Sequence, residues 1–564
     1  MNYKHALAAL ISDAAGLNID DTQSAIEIPA DSAMGDFAYP CFRLAKAMKK
    51  APPAIAADLA KTIAPPDFIA EIKATGPYLN FFLNREKYAA TMVSQMNRLG
   101  ADFGRSDMGG GRCVVIDYSS PNVAKPFHIG HMRSTNIGAA LYKIYNFLGY
   151  SSFGINFIGD WGTQFGKIIT AYKLWGDHAQ IQEGGMDALL ALYVKFHEEA
   201  DKDPALDEAA RGWFVKMEQG DPEAMALWHW ISDISMADYE IIYKRLGNIT
   251  FDSFNGESFY NDKMAAVVDE LRDCGIMVES DGAMIVDLEN HKMPPCLILK
   301  RDGSTLYPTR DIASAFYRKK EYNFHKAIYV TGQEQILHFA QWFKVVELMG
   351  HKWADDLVHV PFGMLNFGQE KMSTRRGRVL KMSDLLDRAV NKISEIIETK
   401  NPGLANKEQI AEAVGIGAIK FADLYNNRIK DIEFNWDRML NFDGETGPYV
   451  QYTHARCASV LTKADIDFKN PDFALLSNDD EFALIKALAA FPDKIIESAK
   501  QHEPYILARH IMAIAQAYNK FYHDNPILRA EPALKSARLG LTAATKNIIA
   551  SGLDLLGIAA PNEM

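Results

Sequence analysis

The stretch Cys113–Leu148, CVVIDYSSPNVAKPFHIGHMRSTNIGAALYKIYNFL, decides the fold. Its first residues, Cys113–Tyr118, form an apolar, β-branched run that predicts a buried strand. From His131 to Leu148 apolar residues recur at helical spacing, and Gly149 follows as a helix stop. A strand, a loop and a helix in this order open a nucleotide-binding α/β unit.

Three later segments repeat the alternation of strand and helix. They span residues 153–158, 327–349 and 357–365. Their apolar runs and helical periods predict further units of a parallel sheet. Residues 172–246 carry a helical and acidic pattern instead, so we expect the sheet to be interrupted by an inserted helical segment.

The two ends of the chain have patterns of their own. Residues 1–108 mix helical periods with short strand-like runs, and the turn Met108–Gly111 follows as a linker. We therefore expect an N-terminal α+β domain at 1–108 and an α/β domain at 109–381. Residues 382–564 are almost entirely helical in pattern and predict a helical bundle.

Composition limits the classes of function. The chain has 564 residues and a formal net charge of -12, so any RNA contact must come from local patches. Its five cysteines form no CxxC pair, which argues against a disulfide framework and a structural zinc. No apolar run approaches the roughly 18 residues of a membrane helix, and we expect a cytoplasmic protein.

Two motifs carry the chemistry. Ser119–His131 lies between the first strand and its helix, where free backbone N–H groups and two imidazoles can bind a polyphosphate. The alternative is an ordinary surface helix start. Lys371–Arg375 (KMSTR), followed by further basic residues, can bring an ammonium onto a phosphate during in-line displacement. The alternative there is a solvated basic loop.

Together, in this order, the motifs resemble the HIGH and KMSKS signatures of class I aminoacyl-tRNA synthetases. Within that class, Ser119–Thr135 (SSPNVAKPFHIGHMRST) and Tyr307–Asp311 (YPTRD) resemble the arginyl-tRNA synthetases. The resemblance implies a multidomain α/β fold with a Rossmann-type catalytic domain and an N-terminal domain that binds the tRNA D-loop. It also implies a C-terminal stem-contact segment and a helical anticodon-binding domain.

The same resemblance implies the activity. Arginine would be activated with ATP to arginyl-adenylate plus pyrophosphate and then transferred to the 3′ end of tRNA-Arg. Activation is expected to require bound tRNA, and the family implies a monomer. ATP with its Mg²⁺ is a substrate, and no metal held by the protein itself is expected.

The resemblance assigns site residues as well. The implied catalytic residues are His128, His131, Lys371, Ser373 and Arg375. The implied ATP-binding residues are Phe127, His128, Gly130, His131, Lys371 and Met372.

Recognition of arginine calls for fixed carboxylates, because a guanidinium is a planar fork of five donors. Asp117, at the end of the first strand, and Asp311, one helical turn after Tyr307, are the candidates. The alternative for Asp311 is an ordinary acid in the first turn of a helix. The resemblance implies that these acids and Tyr307 hold the guanidinium. It further implies that the α-amino or carboxylate end is bound by Asn122, His128 and Gln335, with Gln333 as the alternative to Gln335.

Contacts to tRNA are expected at both ends of the chain. Tyr78 and Asn80 share one face of a strand, where a ring can stack and an amide can read a base edge. By resemblance they bind the D-loop, and an ordinary half-exposed strand is the alternative. Tyr452 and Arg456 are the candidates in the anticodon-binding domain, where aromatic residues at helical spacing are usually core. The compact loop Gly159–Gly166 is expected to line the active site, with Trp161 packed in a tight turn.

Two other functions are compatible with parts of this pattern. Another class I synthetase or a related nucleotidylyltransferase would share both signatures but not Asp117, Tyr307 and Asp311. A catalytically silent, synthetase-like RNA-binding protein is the alternative from a different class, although it would have no use for an ordered phosphate site.

Overall fold

The computed structural model describes residues 3–29, 31–366, 380–464 and 471–564. In chain order the helices are α1 Tyr3–Ala15, α2 Ile19–Ala25, α3 Ala45–Met48, α4 Pro52–Thr62, α5 Arg85–Leu99, α6 Ile129–Phe147, α7 Thr163–Trp175, α8 His178–Ala200, α9 Ala205–Glu218, α10 Pro222–Arg245, α11 Met264–Asp273, α12 Tyr307–Tyr322, α13 Ile336–Leu348, α14 Met382–Lys400, α15 Lys407–Leu424, α16 Trp436–Met439, α17 Gly447–Thr462, α18 Asp479–Ala489, α19 Phe491–Gln501, α20 Pro504–Asp524 and α21 Pro532–Leu555. The strands are β1 Phe37–Pro40, β2 Ile69–Thr75, β3 Tyr78–Leu83, β4 Cys113–Asp117, β5 Ser151–Ile155, β6 Met277–Ser280, β7 Ala283–Val286, β8 Cys296–Leu299, β9 Lys326–Gly332, β10 Leu357–Phe362, β11 Leu365–Asn366 and β12 Ile432–Glu433.

These elements form two compact units. Unit 1 comprises Met1–Phe103, Arg456–Phe491 and Ala513–Ile549. Unit 2 comprises Gly104–Ala455, Pro492–Met512 and Ala550–Met564. The three-domain division at 1–108, 109–381 and 382–564 stays a prediction.

A four-stranded parallel sheet, ordered β10-β9-β4-β5, organises unit 2. Helix α6 connects β4 to β5, and α13 connects β9 to β10, as parallel strands require. The central strand β4 is apolar because both faces are covered, and Val114, Val115 and Ile116 are buried. The sequence prediction of an α/β unit here is confirmed, although β5 begins at Ser151, two residues before the expected start.

The predicted insertion is helical. It contains the end of α7 followed by α8, α9 and α10, and its own core includes Phe165, Leu189 and Phe196. Helix α8 is kinked at Gly185, whose φ of 55° lies in the left-handed region that glycine tolerates. These helices lie between β5 and α11 in the chain, so the parallel sheet is interrupted as predicted.

A second sheet in unit 2 was not predicted. Strands β6, β7 and β8 form an antiparallel sheet between α11 and α12. The sequence does hold a signal for it, because Asp281-Gly282 joins β6 to β7 with both residues at positive φ, 51° and 77°. An Asp-Gly pair in that conformation is the preferred two-residue hairpin turn.

Helix α6 is fixed by a buried arginine. Nε of Arg133 lies 2.9 Å from Oδ1 of Asp423 on α15, and Nη1 donates to the backbone oxygens of Gly363, at 2.7 Å, and Lys430, at 2.9 Å. Asn136 donates to the other oxygen of Asp423. The buried pair therefore joins three distant parts of the chain within unit 2.

Unit 1 contains an antiparallel sheet ordered β1-β3-β2, against which α4 packs. Strand β3 coincides with the predicted strand Tyr78–Leu83. Helix α18 packs on α5, where the rings of Phe482 and Tyr88 meet at 5.8 Å. Lys486 on α18 also forms an ion pair of 2.8 Å with Asp36. The first and last parts of the chain therefore share one unit.

Over the described ranges, none of the helices combines the length and the apolar character needed to cross a bilayer.

Replacing Arg133 with Met should lower the free energy of unfolding by about 3–5 kcal/mol, because Asp423 is then buried without its cation. Urea unfolding followed by circular dichroism measures this change. The exposed Arg211–Glu208 pair on α9 is the control, since Arg211→Met should change stability by less than about 0.5 kcal/mol. Equal effects of the two substitutions would contradict the structural role of Arg133.

Candidate active site

The loop between β4 and α6 has a strained backbone. Ser119, Ser120 and Ala124 all have positive φ, at 72°, 49° and 65°. Each of their N–H groups donates to a side-chain oxygen from elsewhere in unit 2, namely that of Ser134, Asn156 or Ser235. The surrounding elements therefore hold the loop in a conformation that its own residues disfavour.

Two stacked histidines stand where the loop becomes a helix. His128 caps the N-terminus of α6, and its ring lies 3.9 Å from that of His131. Nδ1 of His128 accepts the N–H of Gly130 at 3.0 Å, and Nδ1 of His131 accepts the N–H of His128 at 3.3 Å. Since both Nδ1 atoms act as acceptors, both rings carry their proton on Nε2.

Both histidines are neutral at pH 7. Burial, and secondarily Lys125, lowers the pKa of His128 to about 4. Burial, with smaller contributions from His128 and Lys125, lowers the pKa of His131 well below its usual range. Gly130 makes the arrangement possible, because a Cβ at this position would lie 2.7 Å from the ring of His128. The site therefore offers two Nε2–H donors at a helix N-terminus, where anions bind.

Asp117 ends β4 and is paired inside the protein. Its Oδ2 lies 2.7 Å from Nη2 of Arg318 on α12, and its Oδ1 accepts the hydroxyl of Ser120 at 3.0 Å. The guanidinium of Arg318 lies 5.4 Å from each of the rings of Phe157 and Tyr329. Burial raises the pKa of Asp117, and the cation of Arg318 opposes this rise.

Tyr307 and Asp311 begin helix α12, as the i, i+4 spacing predicts. Tyr307 is 68% exposed, whereas Asp311 is half-buried and lies 2.5 Å from Nε2 of His338.

Gln335 is exposed just before α13, while Gln333 donates to Asp431 at 3.4 Å. The side chain of Asn122 lies against Gly159, where a Cβ would meet its Oδ1 at 2.4 Å.

A cavity of about 580 Å³ opens beside Tyr307. It is lined by Trp161, Gly162, Thr163, Gln164, Phe214, Glu218, Glu257, Asn261, Met264, Lys300, Ser304, Thr305, Leu306, Tyr307 and Arg310. Glu257 pairs with Arg310 at 3.0 Å, and burial raises the pKa of Glu257 to about 7 although Arg310 opposes the rise. The predicted loop Gly159–Gly166 therefore contributes to the wall of this cavity.

Comparison with known proteins assigns the family. A family model described as "tRNA synthetases class I (R), catalytic domain" matches residues 98–436. Models described as "Arginyl tRNA synthetase N terminal domain" and "DALR anticodon binding domain" match residues 1–83 and 450–564. The chain belongs to the arginyl-tRNA synthetases.

Full-length relatives agree with this assignment. The arginine–tRNA ligase of Alkaliphilus metalliredigens is 54% identical over 96% of this chain and 95% of its own length. That of Halothermothrix orenii is 51% identical over the whole of both chains. The arginyl-tRNA synthetase structure of Thermus thermophilus has a TM-score of 0.85 and 25% identity, covering both chains completely. The chain is thus a class I enzyme that ligates arginine to tRNA, and nothing here supports the silent alternative.

The residues that the resemblance implied for tRNA binding lie away from the start of helix α6. Asn80 is buried in β3, and within the described chain neither of its amide atoms has a hydrogen-bond partner. Tyr78 lies on the same strand and meets the exposed ring of Phe42 at 5.8 Å. Arg456 lies 5.1 Å from the ring of Tyr522, in unit 1.

Two further sets of predicted residues remain. Tyr452 is 40% exposed on α17 in unit 2. The predictions for Lys371, Met372, Ser373 and Arg375 lie outside the described residues. The structure therefore brings together Asp117, Asn122, Phe127, His128, Gly130 and His131 in one loop and helix start, with Tyr307, Asp311 and Gln335 on later elements of unit 2.

Sequence reasoning missed three residues that the structure places at this candidate site. Arg318 follows Asp311 by seven residues on one helix, a spacing that would have placed both on the same face. His338 lies in the first turn of α13, the helix that follows β9, at the edge where α/β enzymes bind ligands. Glu257 has no local signal, because it reaches the cavity from a short 3-10 helix.

We expect acid to destabilise the enzyme partly through His128. Unfolded, a histidine has a pKa near 6.5, whereas His128 in the fold has a pKa of about 4, so the unfolded state binds more protons between these values. Stability contributed by the neutral ring is therefore lost as the pH falls below about 6.5. At pH 5 the loss amounts to as much as about 2 kcal/mol.

His128→Gln should accordingly show a smaller drop in melting temperature between pH 7 and pH 5 than the parent enzyme. Differential scanning fluorimetry at both pH values measures it. His229→Gln, at an exposed position of α10, is the control and should behave like the parent. The same drop in all three proteins would count against a depressed pKa of His128.

Proposed function

We propose that unit 2 carries out both steps of arginine ligation at the carboxyl ends of β4 and β9. In the first step the arginine carboxylate attacks the α-phosphorus of ATP, giving arginyl-adenylate and pyrophosphate. In the second step a ribose hydroxyl at the 3′ end of tRNA-Arg attacks the carbonyl carbon, and AMP leaves. The observation that best supports this proposal is that two neutral imidazole donors, His128 and His131, lie at the N-terminus of helix α6.

ATP is bound through its phosphates in this proposal. His128 and His131 donate their Nε2–H groups, Phe127 and Gly130 shape the turn, and Mg²⁺ accompanies the nucleotide. Lys371 provides the cation for charge that develops at the α-phosphate. The chain that follows Lys371 returns to the histidine motif, because the N–H of Met382 donates to the backbone oxygen of Phe127 at 2.9 Å. This contact supports the proposed role of Lys371.

The other residues of that segment have supporting roles. Met372 contributes to ATP binding, and Ser373 and Arg375 shape the loop around Lys371. No side chain becomes covalently attached to substrate in either step.

Arginine is held at both of its ends. Asp311 and Tyr307 bind the guanidinium. Asp117 was also predicted to bind it, but Arg318 and Ser120 engage both of its oxygens, so we propose that it adds negative potential instead. Asn122, His128 and Gln335 bind the α-amino and carboxylate groups. Gln335 is favoured over Gln333 because the side-chain amide of Gln333 already donates a hydrogen bond to Asp431.

The cavity beside Tyr307 receives the 3′ end of the tRNA. Aromatic rings of Trp161, Phe214 and Tyr307 suit an unpaired base, and the cations of Lys300 and Arg310 suit its phosphate. Since Tyr307 is exposed to this cavity, a nucleotide there would complete one wall of the arginine site. This supports the expectation that arginine is activated only when tRNA is bound.

The body of the tRNA is bound elsewhere on the chain. Asn80 is proposed for D-loop binding on the family resemblance, and a base can reach its buried, unpaired amide only after the surroundings of β3 open. Tyr78 supplies a ring for stacking, and Tyr452 and Arg456 contribute to anticodon binding. The enzyme acts as a monomer in the cytoplasm.

Exchange of labelled pyrophosphate into ATP tests the proposal. We expect exchange with arginine, but not with lysine, cysteine or glutamate, and only after tRNA-Arg is added. Exchange with arginine in the absence of tRNA would contradict the tRNA-assembled site. No exchange under any condition would contradict the catalytic assignment itself.

Lys371→Ala should lower kcat of aminoacylation by about 10²–10³-fold while leaving the KM for arginine within about 3-fold, because the ammonium acts on the transition state. Steady-state kinetics with varied arginine measures both constants. Lys320→Ala, at an exposed position of α12, is the control with parent-like kinetics. A rise in KM without a fall in kcat would rule out the proposed role.

A further inference from the structure

Asp311 is held by a side chain that lies outside both signatures. His338, in the first turn of α13, has its Nε2 atom 2.5 Å from Oδ2 of Asp311. Both side chains are mostly buried, with exposed fractions of 27% for His338 and 21% for Asp311. Because α12 and α13 pack against each other, this contact links the helix that bears Tyr307 and Asp311 to the helix that directly follows Gln335.

The second oxygen of Asp311 is available to a ligand. No donor contacts Oδ1 of Asp311 anywhere in the described ranges of the chain. Asp117 differs, since Ser120 and Arg318 engage both of its oxygens. Asp311 therefore keeps an acceptor atom open to a ligand, which Asp117 does not.

Negative neighbours make the orientation of this carboxylate important. Asp117 and Glu257 both lie within electrostatic range of Asp311, as the effect of its charge on their pKa values indicates. Both neighbours repel the charge of Asp311, so a hydrogen-bond donor held in a fixed position stabilises this carboxylate. An imidazole supplies that donor without the permanent charge of lysine or arginine, which would compete with a bound guanidinium.

We propose that His338 is a positioning residue for arginine recognition, which fixes Asp311 through Oδ2 so that Oδ1 faces the substrate guanidinium. This inference rests on the proposed binding of the guanidinium by Asp311. Loss of the contact leaves the carboxylate free to rotate, so binding of arginine weakens while the reacting atoms are unaffected. The residue thus acts on KM and not on the chemical step.

Aminoacylation kinetics of the full-length enzyme with His338→Ala and His338→Gln test the proposal. A hydrogen bond to a charged group is expected to matter roughly 10- to 100-fold, so His338→Ala should raise the KM for arginine by that factor. Its kcat, and its KM for ATP and for tRNA, should stay within about 2-fold. Glutamine places an N–H near the position of Nε2, so His338→Gln should recover most of the arginine affinity.

A second histidine–carboxylate pair in unit 2 serves as the matched control. Nε2 of His351 lies 2.7 Å from Oε1 of Glu270. His351→Ala should leave the KM for arginine unchanged. The proposal is overturned by an unchanged KM in His338→Ala, by a fall in kcat alone, by failure of glutamine to rescue, or by an equal effect of His351→Ala.

Asp311→Asn separates this inference from the function on which it rests. If Asp311→Asn leaves the KM for arginine unchanged, the proposed arginine site fails and the role of His338 fails with it. If Asp311→Asn raises the KM and His338→Ala does not, only the positioning role is overturned. A rise in both variants supports the inference.

Discussion

The buried ion pair between Arg133 and Asp423 is the interaction on which the arrangement of the site depends. Arg133 lies two residues after His131, so whatever fixes its guanidinium also fixes the start of α6. The same guanidinium binds the backbone oxygen of Gly363, four residues before the stretch outside the described residues that carries the second signature. Asp423 needs this cation, because a buried carboxylate without a partner is strongly destabilising. One buried contact therefore stabilises the fold and fixes both the start of α6 and the position of Gly363.

The proposed arginine site is acidic, and each of its carboxylates is paired with a hydrogen-bond donor of the protein itself. Asp117 pairs with Arg318, Glu257 with Arg310 and Asp311 with His338. Burial alone pushes carboxyl groups towards their protonated form, in which they cannot accept a guanidinium well. Nearby cations oppose that shift, at the cost of occupying some of the acceptor atoms. Asp311, whose partner is an imidazole and not a guanidinium, keeps one oxygen open, which fits the proposed division between a buried field from Asp117 and direct contact by Asp311.

Local sequence patterns predicted much of this fold. The strand at Tyr78–Leu83, the helix after His128 and the helical insertion each follow from spacing along a short stretch. The antiparallel sheet was missed even though Asp281-Gly282 marks its hairpin. Contacts such as His338 with Asp311 join residues far apart in the chain, and no periodicity in a single sequence encodes them. Gly130, which the resemblance implies for ATP binding, has a further role that only the structure shows, because its missing side chain leaves room for the ring of His128.

The protonation of the two histidines limits what they can do in the reaction. With Nδ1 of each ring fixed by a backbone N–H, and with burial keeping both rings neutral, neither can supply positive charge at pH 7. Each can only donate a hydrogen bond from Nε2 to a phosphate oxygen. A preset donor needs no reorganisation as charge moves on the phosphate, which favours catalysis by positioning over acid catalysis. In the proposed mechanism the compensating charge must therefore come from a cation elsewhere, and Lys371 and the Mg²⁺ that accompanies ATP are the groups that supply it.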